Sequence, residues 1–198
     1  MSNNLKENQA FLTLISIFNL KKVKDGVGHD RNGLYCDLCL KSKVLLSYGD
    51  DGYGGETDHD FTSEVNKKYL DKFIADNNLN QVLFDNGYNF YGSVNEVRND
   101  TVIDEIIGTL YHLKQIEKQN KILAKHCEKS IVVGVDAFNY SYYGFKNIKS
   151  LLELVSKKGG PLMLLKTYEK AVEGLSENEK ILNTQEQLIN LGVIKATK

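Results

Sequence analysis

Gly33-Leu34-Tyr35-Cys36-Asp37-Leu38-Cys39-Leu40, then Lys41-Ser42-Lys43, then Val44-Leu45-Leu46-Ser47-Tyr48, is the stretch that decides the fold. Leu34, Cys36, Leu38 and Leu40 fall on one side and Tyr35, Asp37 and Cys39 on the other, which is the two-residue period of a half-buried strand. Lys41-Ser42-Lys43 turns the chain, and Val44–Tyr48 returns as the antiparallel partner. Residues three apart on a strand point to opposite faces, so Cys36 and Cys39 cannot grip one metal. A zinc site also needs more ligands at suitable spacing than this single pair supplies.

Beyond the hairpin the chain enters a glycine-rich acidic loop. Gly49, Gly52, Gly54 and Gly55 alternate with Asp50, Asp51, Glu56, Asp58 and Asp60. Carboxylates this close repel unless water or a hard cation separates them, and Mg²⁺ or Mn²⁺ takes oxygen ligands of this kind. The calcium-loop spacing fails, because Gly52, Gly54 and Phe61 stand where ligands belong. A phosphate-cradling loop fails too, since no Gly-Lys-Ser/Thr follows and the local charge is negative.

Outward from this centre the apolar periods predict the remaining elements. Leu5, Phe11, Leu12, Leu14, Ile15, Ile17, Phe18 and Leu20 predict a helix over about 5–20, broken by Asp25-Gly26-Val27-Gly28. Thr62 or Ser63 caps a helix to about Asn77, with Val65, Tyr69, Leu70, Phe73 and Ile74 as its buried stripe. Residues 81–91 read as a second hairpin, with Asn86-Gly87 as its turn. Asp100 or Thr101 caps the longest helix, to about Cys127, on the stripe Val102, Ile106, Leu110, Leu113, Ile116, Leu123 and Cys127. Lys114, Lys118, Lys121 and Lys125 form a second, solvated stripe. His112 and His126 are about 21 Å apart along this helix and cannot share a metal.

A buried strand is predicted near 130–136, followed by the aromatic run Phe138 to Phe145. Three helices then close the chain: 148–156, one entered through Gly159-Gly160-Pro161 and ending near Gly174, and a last one ended by Gly192. Ser176…Glu179 and Thr184…Gln187 both match the capping box. The expectation is an α+β fold: a small, mostly antiparallel sheet (33–48, 81–91, 130–136) packed with about six helices, and an all-helical C-terminal third. One domain over 1–198 is expected, with 147–198 as a candidate helical subdomain.

Composition narrows the function classes. Hydrophobic residues at 41% and charged residues at 26% suit a soluble globular chain. A net charge of −1 disfavours nucleic acid as the partner. No run approaches the roughly 20 apolar residues of a membrane span, and Phe11–Leu20 lacks the features of a signal peptide. Three cysteines (Cys36, Cys39 and Cys127) make no disulfide framework, so a reducing cytoplasm is expected. The Asn, Lys and Ile bias hints at a low-GC bacterium or its phage. Two arginines, Arg31 and Arg98, are few for phosphoryl transfer.

Tyrosine interleaved with Asn, Ser and Gly is recognition chemistry, because tyrosine joins a large rigid area to a hydroxyl. Tyr48, Tyr53, Tyr88, Tyr91, Tyr140, Tyr142 and Tyr143 are therefore the candidate binding residues. The leading expectation is a small cytoplasmic accessory protein, of phage or low-GC bacterial origin, that binds or inhibits a protein or small ligand and needs no cofactor. Exposed aromatics would also favour self-association. The alternative is a metal-dependent hydrolase acting on phosphodiesters. There Asp50, Asp51, Asp58 and Asp60 hold Mg²⁺ or Mn²⁺ and His59 is the acid/base.

Overall fold

The computed structural model describes residues 5–27, 33–52, 56–88 and 92–195. Tyr53 and Tyr91 lie outside these residues, as do positions 89 and 90 of the expected second hairpin. The chain is α+β and divides into two compact units, Met1–Lys114 and Gln115–Lys198. Among the described residues no helix is long and apolar enough to cross a membrane.

The first unit is built on a four-stranded antiparallel sheet in the order β1 (Phe18–Val27), β2 (Gly33–Leu40), β3 (Lys43–Asp50), β4 (Asp58–Phe61). The β2–β3 hairpin forms as its alternation predicts, turning at Lys41 with φ 55°. Leu38 and Leu46 face each other across the hairpin, both fully buried. Four helices contribute to the same core: α1 (Gln9–Ile15), α2 (Glu64–Asp76), α3 (Leu79–Leu83) and the start of α4 (Asn99–Cys127). Phe11, Ile15, Leu70, Ile74, Leu79, Leu83, Ile103 and Ile106 all lie in that cluster. Each such side chain contributes about 1.5–3 kcal/mol on burial.

Four expectations are corrected here. The N-terminal helix is short: Asn8 caps α1 through its side-chain oxygen, and the chain leaves the helix after Ile15. Phe18 and Leu20, two apart and both buried, then begin β1. The strand does not break at Asp25-Gly26. It continues to Val27 through register shifts, with φ 49° at Lys22 and 68° at Gly26. The second hairpin is absent from the described part of 81–91: Leu79 and Leu83, four apart, bury one face of α3, and Phe84–Tyr88 follows as a wider helical turn. Asn86 (φ −104°) does not take a type I′ turn and donates to the Val82 carbonyl instead at 2.7 Å. Ser63 caps α2 as expected, yet Val65 is 71% exposed, and Asn66 takes its place against the core beside Leu70 and Ile74.

Asp37 lies on the face of β2 opposite Cys36 and Leu38. Its Oδ1 accepts from the Ser47 hydroxyl at 2.9 Å, and its Oδ2 meets the Lys22 ammonium at 2.9 Å. The bond from Lys22 holds the Asp37 carboxyl below the usual carboxylate range, against the opposing pull of burial. A depressed folded-state value means stability present above the unfolded value of about 3.9 and lost as pH falls through the folded one. Asp37→Asn is therefore expected to cost most at neutral pH. Its difference from wild type in urea midpoint should shrink between about pH 5 and pH 2. A difference constant across that range would show that the carboxylate's charge contributes nothing.

The second unit has a three-stranded sheet in the order β6 (Tyr140–Gly144), β5 (Ser130–Gly134), β7 (Lys180–Ile181), together with α5 (Leu151–Ser156), α6 (Gly160–Glu173) and α7 (Gln185–Asn190). Every residue of β5 is buried, as its apolar run predicts. Ser150 and Thr184 cap α5 and α7 by accepting from Glu153 N at 3.1 Å and Gln187 N at 3.2 Å. Pro161 sits in the first turn of α6, and Gly192 (φ 71°) follows α7. The C-terminal third is not all helical. The Ser176…Glu179 pair closes a turn, with Glu179 accepting from Ser176 N at 3.0 Å, and β7 rather than a helix follows it.

Asn183, buried just beyond β7, ties this unit together. Its Oδ1 accepts from Val132 N at 2.8 Å, and its Nδ2 donates to the carbonyls of Ser130 (2.9 Å) and Cys127 (3.0 Å).

Candidate functional site

The register of β3 against β4 decides what the acidic loop can do. Tyr48 pairs with His59, Gly49 with Asp58, and Ser47 with Asp60. Alternation places Tyr48 and His59 on one face and Asp58 and Asp60 on the other. Asp50 uses Oδ1 to accept from Gly52 N at 2.8 Å, closing its own turn. Asp51 is exposed. Among the described residues no three His, Cys, Asp or Glu side chains gather to hold a metal.

His59 has different partners. Its Nε2 lies 2.8 Å from Asp104 Oδ1 and its Nδ1 3.6 Å from Asp100 Oδ1. The two aspartates are one turn apart at the start of α4, so they face the same side. Thr57 donates from Oγ1 to both Asp104 oxygens at 3.0 and 3.2 Å, and Arg98 meets Asp100 at 2.6 Å. The Tyr48 ring packs 5.7 Å from the imidazole, whose side chain is 8% exposed. Burial above all, then the negative charge of Asp104, pushes the Tyr48 phenol well above its ordinary pKa, so it stays neutral. The imidazole, Thr57, Arg98 and the two aspartates, with Glu56 and Thr101, line a polar cleft of about 180 Å³.

The chemistry available there is limited. Both ring nitrogens of His59 face carboxylates. Nε2 is hydrogen-bonded to Asp104, so that nitrogen is already engaged within the protein, while Nδ1 lies beyond hydrogen-bond distance of Asp100. The network holds β4 against the first turns of α4. Sequence reading missed Thr57, Arg98, Asp100 and Asp104 here. The available signal was Asp100 and Asp104 four apart on a helix, but Asp100 read as a cap.

The tyrosines separate into buried and presented ones. Tyr48 is buried, and Tyr88 is partly buried with its hydroxyl donating to Glu105. Tyr143 turns into the second unit's core. Tyr140 and Tyr142 share the opposite face of β6, as alternation requires. Tyr142 is 55% exposed and stacks on His126 at 4.7 Å with 29° between planes, and Tyr140 meets the same imidazole at 5.7 Å. Phe138, 50% exposed, stands on the adjoining turn beside exposed Val135. That turn is fixed by Asp136, which accepts from the amides of Phe138 (2.8 Å) and Asn139 (2.9 Å); these bonds, that of Phe138 foremost, hold its carboxyl below the usual range. A Cβ on Gly134 would fall 2.3 Å from the Asn139 carbonyl oxygen, so only glycine lets the hairpin close this tightly.

Fold and site together define an α+β protein that presents an aromatic ridge and holds a separate polar histidine cluster. No family model, no characterised protein and no solved structure matches the chain.

Proposed function

We propose that this chain is an accessory binding protein that captures a protein partner on the ridge formed by Phe138, Tyr140, Tyr142 and His126. The observation that carries the reading is the Tyr142 ring, more than half exposed yet already stacked on His126. An aromatic side chain held in place before binding loses little entropy when it docks, and anchors of this type dominate interface energetics. The hydroxyls of Tyr140 and Tyr142 add directional bonds to that apolar area. A reducing cytoplasm is the compartment proposed, in keeping with three free, buried cysteines.

The test compares wild type with Phe138→Ser/Tyr142→Ala. Both exchanges lie at exposed positions and should leave the melting temperature nearly unchanged. A partner captured from source cells and then purified should bind wild type and lose about 2 kcal/mol or more, some thirtyfold in Kd, with the double variant. Equal affinity for both proteins would remove the ridge from the reading. The hydrolase alternative has less support, because His59 Nε2 is already bonded to Asp104 and no three of its proposed ligands gather among the described residues.

A further inference from the structure

We infer that the second unit binds a small organic ammonium ion with an apolar body, in the cleft between the end of α4, the first turn of α5 and α7. This cleft has a volume of about 490 Å³, within the roughly 300–1,000 Å³ of small-ligand sites. Leu151 and Leu191 are buried members of the unit's core and supply its apolar wall, and Leu152, 67% exposed, stands at its lip.

The polar groups decide the class of ligand. Ser150 and Thr184 also line the cleft, but their hydroxyl oxygens already cap α5 and α7. Gln187 donates its Nε2 to the Cys127 carbonyl at 2.6 Å. What remains is the Asn190 amide and two carboxylates, Glu128 and Glu186, neither in an ion pair among the described residues. Among those residues no lysine or arginine lines the cleft. An anion would meet two full carboxylate charges, offset only by the partial charges at the N-termini of two six-residue helices. A wholly apolar ligand would gain nothing from the two carboxylates at the cleft's rim. A cation carrying hydrocarbon satisfies both the carboxylates and the leucines.

The walls are also fastened in place. Leu151 N donates to the Glu128 carbonyl at 2.8 Å, joining α5 to the end of α4. Asn183 and Gln187 join the start of α7 to the same end through the Cys127 carbonyl. A cleft formed before binding spares the ligand the cost of ordering it.

Titration of the full chain with octylammonium and phenethylammonium, against octanol and octanoate, tests this by methyl resonance shifts. The expected result is saturable shifts at Leu151 and Leu191 with both ammonium ions, at an affinity about tenfold above octanol, and none with octanoate. Glu128→Gln/Glu186→Gln alters two exposed side chains, so it should melt like wild type while its octylammonium affinity falls to that for octanol. Equal binding of ammonium and alcohol, an unaffected double variant, shifts centred elsewhere, or no saturation by either ammonium ion would each overturn the inference.

Discussion

Asn183→Ala is expected to destabilise the second unit by about 3 kcal/mol. The exchange strips partners from the Val132 amide and the Ser130 carbonyl, both on the fully buried strand β5. A buried backbone group left without a bond costs about 1–3 kcal/mol, and two are orphaned here. The Cys127 carbonyl is spared, because Gln187 still donates to it at 2.6 Å. The sharpest readout is hydrogen exchange at Val132, which should accelerate by about a hundredfold. Asn183→Asp gives a second check. It keeps an acceptor for Val132 N but sets a carboxylate against two carbonyl oxygens. It should be at least as damaging at neutral pH and partly recover in acid, where the protonated group can donate again. Unchanged protection of Val132 in the alanine variant would mean that Asn183 does not pin the sheet.

The second large effect has a sign opposite to helix propensity. Gly160 is the first residue of α6, and Gly→Ala in a helix ordinarily stabilises, by about 1 kcal/mol where the position is interior and by less at an end. A Cβ at this position would instead fall 1.8 Å from the Leu154 carbonyl oxygen and 2.8 Å from its carbon. Both contacts are backbone, and the same oxygen accepts from Lys157 N at 3.0 Å, so no side chain can simply swing away. Gly160→Ala is expected to destabilise by about 3 kcal/mol, the upper end for overpacking. Its neighbour Gly159 is needed for another reason: φ is +79° there, and nothing lies within 4 Å of where a Cβ would stand. Gly159→Ala should cost about 1–2 kcal/mol, from backbone strain alone. Denaturant midpoints of the two variants settle the comparison, and a Gly160→Ala protein as stable as wild type would contradict the close packing of α5 on α6.

What the sequence disclosed follows from how much each signal depends on distant residues. The β2–β3 hairpin was legible because Leu34, Cys36, Leu38 and Leu40 carry their period locally and pack on one core. The entry to α6 was legible because Gly159, Gly160 and Pro161 each have a backbone reason to stand there. Phe18 and Leu20 fit a helical stripe as well as a strand face, and only pairing with β2 resolves them. Asn86-Gly87 carries a strong turn signal, but burial of Leu79 and Leu83 outweighs it. β7 is two residues long, too short for any period. The partners of His59 are 45 residues away at Asp104, so nothing local marks the cluster, whereas the shared face of Tyr140 and Tyr142 follows from alternation alone.

The position of Asn183 bears on how the chain matures during synthesis. Its bond to Val132 spans 51 residues, and β7, the other neighbour of β5, is made only just before it. The first unit has all its strands within the first 114 residues and can fold while the rest is still being translated. The second cannot close its sheet until residue 183 has emerged. Through that interval one edge of an apolar strand stays open, a state prone to wrong pairing. Translation pauses or chaperone contacts between residues 134 and 183 would therefore act on the second unit and leave the first untouched.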